Sequence, residues 1–212
     1  MIPVEASATV VQSASFDEKV QAADSIILGR CVKTHTQFDP TGRWILTYST
    51  FQIEESMKGQ PSPEVTVVTP GGEVNGIHQD TIGVPSFKQD DERVLFIRFS
   101  RVGPTVLFFD QGAYDVGTDG QGKKVVKPTQ SDAVRIDTQR GVAVAPEGEQ
   151  LLRTFENNVK ASLHRTALNR MEMVRVPHDE ASVWQVMMNN RLLVALALIG
   201  ALIATWRLTK RQ

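Results

Sequence analysis

The chain has 212 residues, 41% of them hydrophobic and 22% charged, enough for one cored domain with an appendage and too few for a large multidomain enzyme. Its 23 Lys and Arg against 24 Asp and Glu give a formal net charge of −1, so nothing draws the whole molecule to the phosphate backbones whose neutralisation supplies most nucleic-acid affinity. A lone cysteine, Cys31, provides neither an internal disulfide nor a cysteine zinc cage, and the fold has to rest on its hydrophobic core.

Residues 1–24 read as an N-terminal segment. Glu5, Asp17 and Glu18 interrupt it and it holds no apolar run of signal-peptide length, while the small residues of VEASATVVQSA match a mature terminus left after export; a tail-anchored protein facing the cytoplasm is the alternative. A β-rich body is predicted over 25–128. In SIILGRCVK, Ile26, Leu28 and Val32 alternate with Ile27 and Cys31, as strand residues do. Asp39, Pro40 and Gly42 supply a turn. After it, Trp44, Leu46 and Tyr48 share one parity and Phe51 and Ile53 the other, a slip near Ser49 that predicts a β-bulge bending a long strand toward barrel closure. Further strands at Val65 to Thr69, Arg93 to Phe99, Thr105 to Asp110, Ala113 to Val116 and Lys123 to Lys127 complete a predicted mainly β fold, a small antiparallel barrel.

A polar linker, 129–148, follows. From 149 to 170, Leu152, Phe155, Val159 and Leu163 recur at spacings of three and four between Arg153, Glu156, Lys160 and Arg165, which predicts an amphipathic helix packed on the barrel; docking on a partner or on the membrane surface is the other use for such a stripe. Pro177 breaks the chain in a juxtamembrane segment, 171–190.

The C-terminus departs furthest from the average. Leu192 to Trp206 (LLVALALIGALIATW) carries no charge. At about 1.5 Å per residue the run reaches roughly 22 Å as a helix, short of a hydrocarbon core of about 30 Å. Its flanks nevertheless predict a single transmembrane helix at 191–208: Arg191 and Arg207 can snorkel, Trp206 suits the interface, and Arg207, Lys210 and Arg211 make the end basic, with a tail at 209–212. A core helix there would show a polar face, and only Thr205 interrupts this one. Ala197, Gly200, Ala201 and Ala204 strip one face of bulk and are the expected partner-binding residues, since a short, smooth span favours packing against other helices. Retention of the basic tail in the cytoplasm places the bulk of the chain on the periplasmic side of a bacterial inner membrane.

The segments ADSIILGRCV, TYSTFQIEESMKG, VTVVTPGGEVNG, GVPSF, DDERVLFI and QGAYDV, in that order, carry a family likeness. From Ala22 to Lys127 the chain resembles an OB-like small barrel module of exported, largely uncharacterised bacterial proteins. More distantly it is similar to the netrin-like module of the tissue inhibitors of metalloproteinases, with its ADxxxxG start and a lysine-glycine before the next strand. The resemblance implies the fold and stops there. The bacterial modules sometimes precede a matrixin-type zinc protease, and no HExxH occurs here; the inhibitors act through an N-terminal cysteine, where this chain has Met1 and Ile2.

Residues able to carry chemistry are sparse. His35, His78, His164 and His178 fall in different predicted elements without metal-ligand spacing. His78 and Asp80, in GGEVNGIHQD, form the best local acid/base pair, although a solvated loop pair is the plainer reading. GGEVNG lacks the Lys-Ser or Lys-Thr of a phosphate loop, and Gly112 and Ser131 fit no nucleophile elbow. Asp90, Asp91 and Glu92 suit calcium less well than a charged gatekeeper before an apolar strand. No catalytic residue, metal or cofactor is expected. The sequence points to a non-enzymatic, membrane-anchored extracytoplasmic accessory or scaffold subunit whose partners are the lipid bilayer and other membrane protein subunits, an energy-transducing complex being one setting. The loop Gly71 to Pro85 is its second expected contact surface. A binding or inhibitory module for an exported protease and a hydrolase centred near His78 are the alternatives, and a small-molecule ligand is left open.

Overall fold

Short polar punctuation between apolar runs cuts the described part of the chain into many strands and two α-helices. The computed structural model describes residues 10–60, 62–130 and 133–174, with side chains through Leu168. In chain order these are β1 (Val10–Gln12), α1 (Phe16–Ala22), β2 (Ser25–Phe38), β3 (Ile45–Lys58), β4 (Glu64–Pro70), β5 (Gly72–Val74), β6 (Ile77–Gln79), β7 (Glu92–Ser100), β8 (Gly103–Val106), a 3-10 turn (Phe109–Gly112), β9 (Ala113–Thr118), β10 (Lys124–Pro128), β11 (Val134–Asp137), β12 (Val142–Ala143), β13 (Gln150–Leu151) and α2 (Leu152–Val174). The chain divides into two compact units, 1–167 and 168–212. The first holds every described strand; the described part of the second is the end of α2. The expected transmembrane helix at 191–208, its residues Arg191, Ala197, Gly200, Ala201, Ala204, Trp206 and Arg207, and Lys210 and Arg211 of the tail lie outside the described residues. Among the described residues no helix is long and apolar enough to cross a membrane.

The fold is mainly β and antiparallel, with one sheet ordered β13-β10-β9-β7-β2-β3-β4 and β8 paired on β7. Only β1 with β11 runs parallel among the described ladders. The expected closed barrel is not formed. β8 comes beside β4, so that a Cβ on Gly103 would stand 3.2 Å from Val68 Cγ2, yet the two strands make no ladder and the sheet stays open.

The central strands are buried on both faces, which is why IIL at 26–28 and VLFI at 94–97 read as unbroken apolar runs. Ile26, Leu28, Val94 and Phe96 join Val20 of α1 and Phe155 and Val159 of α2 in one core; Ile27, Cys31, Leu95 and Ile97 join Phe51, Val67 and Phe87 in the other. Phe155 is the hub of the first, with ring centroids 5.3 Å from Phe16, 4.9 Å from Tyr114 and 6.1 Å from Phe96. The stripe on α2 therefore packs on the sheet.

The strand after Asp39 departs from expectation. Ile45, Ser49 and Phe51 are all buried, so β3 keeps one inward parity and the slip near Ser49 does not exist. Trp44 is 55% exposed and Tyr48 stacks outside on His35 at 5.0 Å, its partner across the strands. Aromatic side chains on the outer face mimicked an inward stripe. Bending comes instead from three register shifts between β2 and β3, at Ile26/Ile27, Leu28/Gly29 and Cys31/Lys33.

Two stretches without an apolar pattern are structured through long-range partners. Residues 129–148 contain β11 and β12, and β11 pairs with β1 from the N-terminal segment. α1, only 7 residues long, is too short to persist alone. Ser15 and Glu18 close a capping box at its start, with Ser15 N–H donating to Glu18 Oε2 at 2.7 Å. At its end the Lys58 ammonium donates to the carbonyls of Val20, Gln21 and Ala23 at 2.7, 3.1 and 2.5 Å.

Candidate functional site

The loop that follows β4 is built by its glycines. Gly71 and Gly72 sit at φ +105 and +128, and a Cβ on Gly72 would come within 2.7 Å of both Thr36 Cγ2 and Thr47 Oγ1. Only glycine lets the β5–β6 hairpin fold across the ends of β2 and β3 at this point. Asn75 and Gly76, at φ 53 and 78, make the two-residue turn of that hairpin in the left-handed conformation it demands. Three bonds pin it: Thr36 Oγ1 donates to Glu73 O at 2.5 Å, Thr47 Oγ1 to Gly71 O at 2.7 Å, and Ile45 N–H to Gln79 Oε1 at 2.8 Å.

Between this hairpin and residues 84–87 lies a cavity of about 570 Å³. His35, placed by sequence in a different element from the loop pair His78 and Asp80, joins both of them at this cavity. His78 Nε2 lies 2.8 Å from Asp80 Oδ1, with side chains 60% and 84% exposed, and no other side chain bonds either one among the described residues. It is a solvated pair. Phe87 closes the floor, nearly buried and edge-on to Phe51 at 5.1 Å. Thr36, Thr47 and Thr69 stand in one row across β2, β3 and β4. That row is invisible in the sequence because it exists only through the register.

A second polar centre is buried under α1. Lys19, 4% exposed, donates to Tyr114 Oη at 2.5 Å and to Glu147 Oε1 at 2.6 Å, while Tyr114 Oη donates to Glu147 Oε2 at 2.7 Å. Burial lowers the Lys19 pKa against the opposing pull of Glu147; burial, then the Glu147 carboxylate, raises that of Tyr114. Beside it Asp110 pairs with Arg135 at 2.7 Å, and the Gln111 amide takes Ala14 N–H and donates to Gln12 O, both at 2.9 Å, holding the N-terminal strand in place. A Cβ at Gly112 would stand 2.3 Å from Leu107 O. The cluster borders a smaller cavity of about 380 Å³ that Glu18 and Asp137 also line. Lys19 and Glu147 sit in stretches without periodicity, so sequence reasoning passed over both.

The remaining candidates are dispersed. Asp91 accepts from Lys88 N–H and from Arg93, Glu92 pairs with Arg30 and Lys124, and Asp90 turns the chain at φ 70, so the three carboxyl groups serve different partners. Cys31 is buried between Ile27 and Phe51 in the second core, where burial raises its pKa. His164 is exposed on α2, and His178 and Ser131 lie outside the described residues. Among the described residues no group of three or more His, Cys, Asp or Glu is placed to hold a metal ion. Comparison with known protein families, curated proteins and solved structures finds no match to this chain.

Proposed function

We propose that the chain is a non-enzymatic accessory or scaffold subunit: an extracytoplasmic β module of OB-like or netrin-like kind, anchored in a bacterial inner membrane by a helix at 191–208 and docked on a larger membrane protein assembly. The observation that carries this reading is the uncharged run Leu192 to Trp206 between Arg191 and the basic Arg207, Lys210 and Arg211. Ala197, Gly200, Ala201 and Ala204 offer the close-packing face that a partner helix needs. Two contacts favour the module. The Ala23-Asp24-Ser25 and Lys58-Gly59 segments meet at the end of α1, where Ser25 Oγ donates to Lys58 O at 3.2 Å, and β8 lies beside β4 at the open seam. The start of α2 is seated in the core by Leu152, Phe155 and Val159, so the element that leads in sequence toward the anchor is welded to the module.

The test is extraction of native membranes in mild detergent, size separation and mass spectrometry of what migrates with the chain. Migration in a defined assembly supports the reading and names the partners. Migration alone in its micelle overturns the docking, and release from membranes by alkaline carbonate overturns the anchor.

A further inference from the structure

We propose that the cavity under the β5–β6 hairpin is a binding site for a neutral saccharide. The proposal does not rest on docking through Ala197, Gly200, Ala201 and Ala204, because it concerns the walls of the Gly71 to Pro85 loop and a different ligand. Its volume of about 570 Å³ lies within the range of roughly 300–1,000 Å³ typical of small-ligand sites.

The composition of the walls argues for the ligand. On this face of β3 the apolar Ile45 and Phe51 bracket two hydroxyl-bearing residues, Thr47 and Ser49, of which Thr47 lines the cavity beside Thr36 and Thr69. Of the row, Thr36 and Thr47 spend their protons on Glu73 O and Gly71 O. Thr69 does not: it is 5% exposed, lines the cavity, and its hydroxyl has no protein partner among the described residues. That hydroxyl opens on the cavity, where it is free to bond a ligand. Thr34, Thr81 and Ser86 add hydroxyls with no protein partner among the described residues, and Gln79, whose carbonyl is held by Ile45 N–H, keeps its amide protons for a ligand.

Charge and shape narrow the class. No Lys or Arg lines the cavity, so a phosphate or carboxylate would meet no permanent positive charge; the one carboxylate, Asp80, already faces His78. An extended peptide would need a free strand edge; β3 is paired on both sides, and the outer edge of β4 is flanked by β8. A sugar ring needs what is present: dense uncharged donors and acceptors around an apolar floor, here Phe87 with Pro70 and Val84, for its C–H face.

The test uses the full chain in a detergent without a sugar headgroup. Saturation-transfer NMR is run with cellobiose, maltose, trehalose and N,N′-diacetylchitobiose, each up to about 10 mM, enough to see a site of roughly millimolar affinity. At least one disaccharide should receive saturation. Thr69→Val, which keeps the shape and removes the hydroxyl, should weaken its binding roughly 3- to 10-fold with the urea midpoint unchanged or raised, and Ser86→Ala should weaken it on the exposed rim. Silence from all four sugars overturns the proposal, as does binding that survives both substitutions. Tighter binding of glucose 6-phosphate than of glucose would reveal an anion site and overturn it equally.

Discussion

Tyr114 holds its hydroxyl between an ammonium and a carboxylate in the core, and that position fixes how the protein responds to alkali. Its pKa is raised above the ordinary 10.0, so the unfolded chain releases the phenolic proton first and stability falls as pH rises past 10. Lys19 acts with the opposite sign, because its lowered pKa makes the folded form shed protons below 10.5 while the unfolded form keeps them. Tyr114→Phe separates the two. Near pH 8 the variant should be less stable by about 1–2 kcal/mol, the usual cost of one buried hydrogen-bonding partner. Above pH 10 the gap should narrow by about 1.4 kcal/mol per pH unit, as only the wild type loses the tyrosine contribution. Urea unfolding at pH 8, 10 and 11 measures this, and a constant gap would show that the phenol ionises equally in both states. At the acid end Asp39 acts alone in its turn: the Thr41 hydroxyl, then the N–H of Trp44, helps hold its pKa down to about 2. Its contribution is complete above pH 3.8 and fades as pH falls toward 2, so the difference between wild type and Asp39→Asn should vanish over that window in acid titrations followed by tryptophan fluorescence.

At the scale of elements, the short helix α1 depends on a residue that enters from β3. Lys58→Met keeps the aliphatic stem and removes three bonds to the last carbonyls of the helix; a loss of about 1–2 kcal/mol is expected, with faster amide exchange at Val20 to Ala23. The β5–β6 hairpin offers a paired comparison. Gly76→Ala meets nothing within 4 Å and should cost about 1 kcal/mol for its left-handed φ alone, whereas Gly72→Ala adds a collision with Thr36 and Thr47 and should cost about 2–3 kcal/mol in urea unfolding. Equal losses would mean that the hairpin shifts freely over the strands. These elements also show what the sequence makes legible. The antiparallel strands and the stripe on α2 follow from periodicity, since burial on one face or on both leaves a local pattern. β1, β11 and the centre formed by Lys19 and Glu147 left none, because each is held by partners more than a hundred residues away in sequence. The outward Trp44 and Tyr48 misled for the converse reason: cross-strand stacking rewards aromatic side chains without burying them.

For the whole molecule, the apolar surface is divided between two jobs that respond to different substitutions. The module buries its own: both faces of β2 and β7 are covered, and α2 closes one of them with Phe155 and Val159. The run Leu192 to Trp206 lies in the other unit, and in the proposed arrangement it serves the membrane, so changes there should leave module stability untouched. Within the proposed span, association with a neighbour rests on close approach of smooth faces rather than on hydrophobic burial, which lipid supplies equally well. Gly200→Leu with Ala201→Leu places two branched side chains on that face while making the segment more apolar. The doubly substituted chain should remain in the membrane, unfold at the wild-type urea midpoint and separate from its assembly on mild-detergent size fractionation. Co-migration at wild-type stoichiometry would show that the span does not form the interface, and the loop Gly71 to Pro85 would then be the surface to substitute next.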